Sequence, residues 1–389
     1  MNCFNITSKT IYCCLGIAWI LATTSCRKGF SDTGYEKTTD ITATSTSANG
    51  TLSTPKTRAR DMVLIYGAGT EGGQQWDYYA FHPYVVYKNK QNQYDWMFDG
   101  FLFLELNDQW NFSFTTGHGD PSKPALKANW NTLLDKYFSA GRSLHALDQA
   151  IDDATWSAGQ PPAKRKVIIG IPEPLKSAGS NWGMANGIWL DFQNDAHRTM
   201  ACKWFIDEVI TRFDTAHFRH LVLDGFYWIG EAVGDASAVT QDVAAYLAPK
   251  NYCFTWIPWW QSPGYNNPQA FGFSDTYLQP NYFFYNTVPY SRLQDACNAA
   301  YANNIYLEME FDDNVLYYAP YRTKMNEYMD VFGSNNVYAN MKLTYYQSQS
   351  TILKLFTQKD YHPPLDSIYR KFCEIITARQ KVVNPPYMN

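Results

Sequence analysis

Eight short apolar runs recur from Asp61 onward, and stretches of helical periodicity separate most of them. Residues 61–66, 97–106, 167–171, 220–228, 252–257, 276–282, 305–311 and 337–345 read as strands. Helices read at residues 125–140, 195–213, 239–247, 290–303 and 317–332, with 367–382 closing the chain. The clearest is 195–213, where Met200, Trp204, Ile206, Val209, Ile210 and Phe213 recur at helical spacing. Apolar runs with little alternation suit strands covered on both faces, and strands that alternate with helices suit a parallel sheet. Eight such units predict a single-domain (β/α)8 barrel of the TIM type over residues 61–389. An open doubly wound sheet is the alternative, and only the helix after the first strand is hard to see.

The residues before the first strand carry other signals. Residues 1–25 read as an export signal: Lys9 supplies a thin positive region, and the apolar core at 11–22 is too short to span a bilayer comfortably. Ser25-Cys26 resembles a bacterial lipobox, so Cys26 is the residue expected to carry lipid after cleavage. A plain cleaved secretory signal is the other reading. Residues 26–60, rich in Ser and Thr with almost no large apolar side chains, read as a disordered tether. The protein is therefore expected to be exported and held at the outer membrane by a lipid anchor only, on its periplasmic or cell-surface face.

The formal net charge of −4 becomes −5 once Lys9 leaves with the signal, and no long block of one sign occurs. Nucleic acid is thus not expected as a partner. Aromatic and charged residues each make up 17% of the chain, a balance that suits a Trp- and Tyr-lined cleft for uncharged, ring-shaped ligands as well as a large aromatic core. Past the anchor the cysteines are Cys202, Cys253, Cys297 and Cys373, which form no CxxC pair, have no paired His, and sit in apolar patterns. Buried free thiols are expected and a metal site is not. A monomer without cofactor is the expectation.

One motif needs its own reading. Gly67-Ala68-Gly69-Thr70-Glu71-Gly72 follows a strand and matches GxGxxG. Trp76, Tyr78, Tyr79, His82 and Pro83 then stand where a helix N-terminus would have to hold a pyrophosphate, so the glycines read as a loop at the mouth of the first strand. No GxSxG, HExxH or Walker sequence occurs. The chemistry, if any, belongs to carboxylates.

Two strands carry them. Leu223-Asp224-Gly225-Phe226-Tyr227-Trp228 delivers Glu231 three residues on, and Leu307-Glu308-Met309-Glu310-Phe311-Asp312 does something similar. Carboxylates inside strands are costly to bury, which favours chemistry over packing. Glycoside cleavage needs two carboxyl groups about the scissile bond, and the fourth and seventh strands of a barrel face each other across its mouth. Glu231 is the expected acid and Glu310 the expected nucleophile or base. Asp224 and Glu308 are candidates for binding, with pairing in a barrel layer as the competing role; Asp312 and Asp313 read as caps of the next helix. Glu105 and Glu173, at the ends of the second and third strands, and Gln279 and Asn281, at the end of the sixth, suit hydrogen bonds to hydroxyl groups. Trp256, Trp259 and Trp260 after the fifth strand, and Tyr282 in the run 281–285, suit stacking on sugar faces.

These two acidic segments resemble the DUF4855 family, exported bacterial proteins common in Bacteroidetes, and the resemblance runs from about Asp61 to the C-terminus. It implies a barrel like those of glycoside hydrolases with an unassigned activity. Two functions follow as expectations: a glycoside hydrolase acting on a polysaccharide or glycan, or a cell-envelope lipoprotein that binds glycan without cleaving it.

Overall fold

The computed structural model describes residues 53–69 and 73–382. Residues 1–25, Cys26 and most of the tether lie outside them. Eight parallel strands close into a barrel: β1 (Asp61–Tyr66), β2 (Gly100–Leu104), β3 (Arg165–Ile171), β4 (Leu221–Trp228), β5 (Cys253–Trp256), β6 (Asp275–Leu278), β7 (Tyr306–Glu310) and β8 (Leu343–Tyr346). Each pairs with its sequence neighbours, and β1 closes the ring by pairing β8, Asp61 opposite Leu343. The (β/α)8 expectation therefore holds. The strands are buried almost throughout, because barrel interior and helix layer cover both faces, which is why their sequences show so little alternation.

Around the barrel lie α1 (Tyr78–Val85), α2 (Lys127–Tyr137), α3 (Ser143–Ala158), α4 (Asp195–Ala216), α5 (Ser237–Leu247), α6 (Ser291–Asn303), α7 (Ala319–Ser334), α8 (Thr351–Gln358) and α9 (Pro363–Gln380). Three of these, α1, α3 and α8, were not anticipated. In α1 the Asp77 carboxylate caps the first turn by accepting from the Ala80 amide at 2.9 Å, and Pro83 frees the carbonyl of Tyr79, a residue 70% exposed and so within reach of water. The residues judged unable to form a helix do form one, yet its N-terminus already holds an acid. The last strand is shorter than expected: residues 337–340 form a helical turn and β8 starts at Leu343. Cys202, Cys253, Cys297 and Cys373 are free and buried, as their apolar surroundings predict. Among the described residues no helix is long and apolar enough to cross a membrane.

The N-terminal end of the barrel is closed by part of the stretch expected to be a tether. Thr54, Thr57, Ala59 and Arg60 are buried, so order begins before β1. The Thr57 amide donates to Asp275 at 2.7 Å, while the Thr57 hydroxyl and the Arg58 amide donate to Asp224 at 2.6 and 2.8 Å. Asp224 interrupts the β3–β4 register as the extra residue of a bulge. Gly225 follows because a Cβ there would stand 2.2 Å from the Cys253 carbonyl oxygen. This corrects the expectation for Asp224: it fastens the leading segment to the N-terminal end of the barrel. Next to it, Lys342 donates to Asp275 at 2.9 Å and to the Thr57 carbonyl at 2.7 Å, with both charged side chains almost fully buried. Removing one partner of such a pair strands a charge. Asp275→Ala is predicted to lower the unfolding free energy by about 3–5 kcal/mol, read as a shift in the urea midpoint, with Asp275→Asn costing less.

Candidate active site

The loops that leave the C-terminal ends of β2 to β6 enclose a cleft of about 690 Å³. Glu173 enters it two residues beyond β3 and Glu231 three residues beyond β4. Trp259 and Trp260, half-buried, line it from the β5 loop; Asn281, Phe284 and Tyr285 line it from the β6 loop. A barrel places its active site at this end.

Glu173 is buried, and its Oε2 accepts from the Thr115 hydroxyl at 3.0 Å and the Thr116 amide at 2.8 Å. Its Oε1 has no hydrogen-bond partner among the described residues. A methyl group at Gly230 would stand 3.5 Å from Glu173 Oε2, which puts this carboxylate beside the residue that precedes Glu231. The same methyl would lie 2.9 Å from the indole nitrogen of Trp228, so the backbone turn into Glu231 requires glycine for close packing. Trp256 is fully buried, donates to the Gly230 carbonyl at 2.8 Å and stacks on Phe273 at 5.1 Å. It supports the β4 loop from the core and does not line the cleft, contrary to expectation.

A line of hydrogen bonds ties Glu231 to the interior. Gln279 Nε2 donates to Glu231 Oε1 at 3.1 Å and to the Ile257 carbonyl at 2.9 Å. Asn281 Nδ2 donates to Gln279 Oε1 at 3.2 Å and to Glu310 Oε1 at 3.3 Å, and its backbone amide donates to Glu310 Oε2 at 2.6 Å. The Tyr328 hydroxyl donates to the same Oε2 at 2.8 Å. Burial, then the adjacent Glu310 charge, pushes the Tyr328 phenol well above its ordinary pKa, which keeps it a donor. Asn281 holds a left-handed conformation, φ +50°, and its Oδ1 accepts from the Trp260 amide at 2.7 Å. One strained residue thus sets the β6 loop and one of the tryptophans of the β5 loop.

Glu310 is therefore not where a nucleophile would stand. It is fully buried, does not line the cleft, and its oxygens are engaged by Asn281 and Tyr328. Glu308 is buried within the barrel wall, 3.5 Å from the Thr344 hydroxyl. Glu105 is buried and accepts from the Ala68 amide at 2.6 Å, anchoring the loop after β1. Tyr282 turns away from the cleft to donate to Glu327 at 2.5 Å, with Lys324 over its ring at 4.9 Å. Asp312 accepts from the Asn314 amide at 2.8 Å and so caps the turn after β7, as read from the sequence. Of the expected residues, the fold brings together Glu231, Glu173, Trp259, Trp260 and Asn281.

Thr116, His118 and Arg292 are among the lining residues that gave no signal in the sequence. Thr116 and His118 sit on an excursion after β2. Arg292, in the first turn of α6, packs its guanidinium 4.7 Å from the centre of the Trp260 ring and donates to the Pro280 carbonyl at 3.1 Å. Burial pushes its pKa below the ordinary arginine value, and the charges of Asp295 and Glu310 oppose that shift. Among the described residues no cluster of three His, Cys, Asp or Glu side chains could hold a metal ion.

A model of a domain of unknown function, DUF4855, matches residues 61–374. The chain belongs to the DUF4855 family. The match spans the whole barrel, from the first residue of β1 into α9. Among solved structures, this DUF4855 chain is similar to concanavalin B at 11% identity and a TM-score of 0.38, over 80% of this chain and 98% of that one. At that distance the likeness says nothing about the site. A stretch of 51 residues, 13% of the chain, is 37% identical to the probable GTP-binding protein EngB of Desulfitobacterium hafniense, in strains DSM 10664 / DCB-2 and Y51. The chain spans a quarter of the length of those curated relatives.

Glu310 offers a direct check on the cleft's support. Glu310→Ala strips acceptors from two amide donors and a phenol, and is predicted to cost about 2–4 kcal/mol of stability and to shift the tryptophan emission of the native state as the Trp260 loop loosens. Unfolding curves and emission spectra read both effects.

Proposed function

We propose that this DUF4855 chain is a glycoside hydrolase that binds a polysaccharide or other glycan in the cleft. Glu231 gives a proton to the glycosidic oxygen, and Glu173, in the place first expected of Glu310, serves as nucleophile or as base toward water. The observation that carries the reading is the company these acids keep: two carboxylates and the rings of Trp259 and Trp260 line one open cleft at the catalytic end of the barrel. The aromatic faces suit stacking on sugar rings, and Asn281 offers an amide nearby.

Glu231→Gln is predicted to lower turnover of a responsive glycan by at least about a thousandfold with folding unchanged, and Glu173→Gln to lower it comparably. Reducing-end release and circular dichroism measure the two. Undiminished turnover in Glu231→Gln would remove it as the acid. The second reading, glycan binding without cleavage, draws on one observation: Glu173 Oε2 is already committed to Thr115 and Thr116, as a purely structural acid would be. Under that reading Trp259→Ala weakens glycan retention, and no reducing ends appear from any sugar.

Export and lipid anchoring are part of the same proposal and rest on residues 1–26 of the sequence. Labelled palmitate is predicted to enter the full chain in bacterial cells, and Cys26→Ala to abolish the label and release the protein from the membrane fraction.

A further inference from the structure

We infer that the cleft takes an acidic glycan, a polymer bearing uronate residues, and that Arg292 holds the sugar carboxylate on the β6 side; this rests on reading the cleft as a glycan site. The guanidinium is half-buried, and its stack on Trp260 together with the bond from Nη1 to the Pro280 carbonyl fixes its plane. Nε and Nη2 have no acceptor among the described residues, and no carboxylate there lies within ion-pairing distance of it. Other cations near this end are committed: Lys176 and Arg198 pair with Asp235 at 2.7 and 3.1 Å, and Lys324 donates to the carbonyls of Tyr282, Phe283 and Tyr285.

Asp295 and Glu310 act on this partly desolvated guanidinium only from a distance, so it is favoured to gain a carboxylate in direct contact from the ligand. The Nε–Nη2 edge presents two parallel N–H groups, the spacing that matches a carboxylate. A uronate supplies a pyranose face for the Trp260 platform and a planar anion at its edge. A sulfate ester offers the same charge with a tetrahedral shape. The balance of aromatic and charged residues, which suggested uncharged ligands, is thus narrowed by one side chain.

The test titrates the full chain with pectic galacturonan, alginate and glucuronan, each beside its carboxyl-reduced form, and with a sulfated galactan, by calorimetry. The expected result is binding of at least one polyuronate, with its carboxyl-reduced form about tenfold or more weaker. Arg292→Gln should bring the two forms to within about twofold of each other, and Arg292→Lys should restore part of the difference. Binding of no polyuronate, equal binding of the reduced form, preference for the sulfated galactan, or an equal loss of both ligands in Arg292→Gln would each overturn the inference. Glu231→Gln run in parallel separates the two claims. Polyuronate binding with no cleavage by the native chain leaves Arg292 its role and removes the hydrolase; cleavage of neutral glycans alone does the reverse.

Discussion

A carboxylate taken inside a barrel of apolar strands must find donors, and the way this chain supplies them organises both ends of the molecule. At the N-terminal end each acid has a cation among its donors. Asp61 is held by Arg379, Asp99 by Lys166, Asp275 by Lys342 and Asp224 by Arg58. These pairs pin the leading segment, the first strand and the last helix to one another, where the ring has to close. At the opposite end the donors are neutral: amides of Thr116 and Asn281, the hydroxyls of Thr115 and Tyr328, the carboxamide of Gln279. Neutral donors orient an acid without cancelling its charge, and that is the condition a site needs if the acid is to act on something else.

The architecture was legible because its signal is repeated. Each of the eight runs is ambiguous alone, yet their order and spacing leave few folds open. What escaped notice did so for local reasons. Pro83 and four aromatic residues disguise α1, whose short length tolerates one missing hydrogen bond. The start of the strand pattern at 337–345 conceals a helical turn over 337–340, in which Val337 is buried as a strand residue would be. Ser- and Thr-rich composition suggested a tether throughout 26–60, whereas Thr57 is ordered by two aspartates more than 160 residues away.

The site was legible at the level of strand ends and not of side-chain direction. Glu231 and Glu173 were placed by their positions beyond β4 and β3, and the fold keeps them in the cleft. Glu310 sits at an equally suggestive strand end, but the direction of a side chain there depends on partners that no local pattern announces. Its partners, Asn281 and Tyr328, come from a loop and a helix that meet only in the folded chain. Arg292 escaped for the opposite reason: the first turn of a surface helix is where solvated charges are commonplace, and only Trp260 beneath it makes this one part of the cleft.

The polar line from Tyr328 through Glu310, Asn281 and Gln279 to Glu231 gives the cleft a sense of direction. It fixes the β6 loop, and with it Trp260 and the cation stacked on that ring, to the same frame that holds the proposed acid. Glu173 comes from the other side, just beyond β3, held by residues that follow β2. A glycan lying across this floor would meet an anion and a cation on opposite walls, so an acidic substituent is repelled on the β3 side and favoured on the β6 side. Two orientations of one polymer then differ in energy, although its ring faces are nearly alike from either end. Aromatic stacking alone does not separate them, because flat rings accept a sugar in either sense. Direction along the chain would then come from hydrogen bonds to hydroxyl groups and from charge, and on the proposed reading Arg292 supplies the charge.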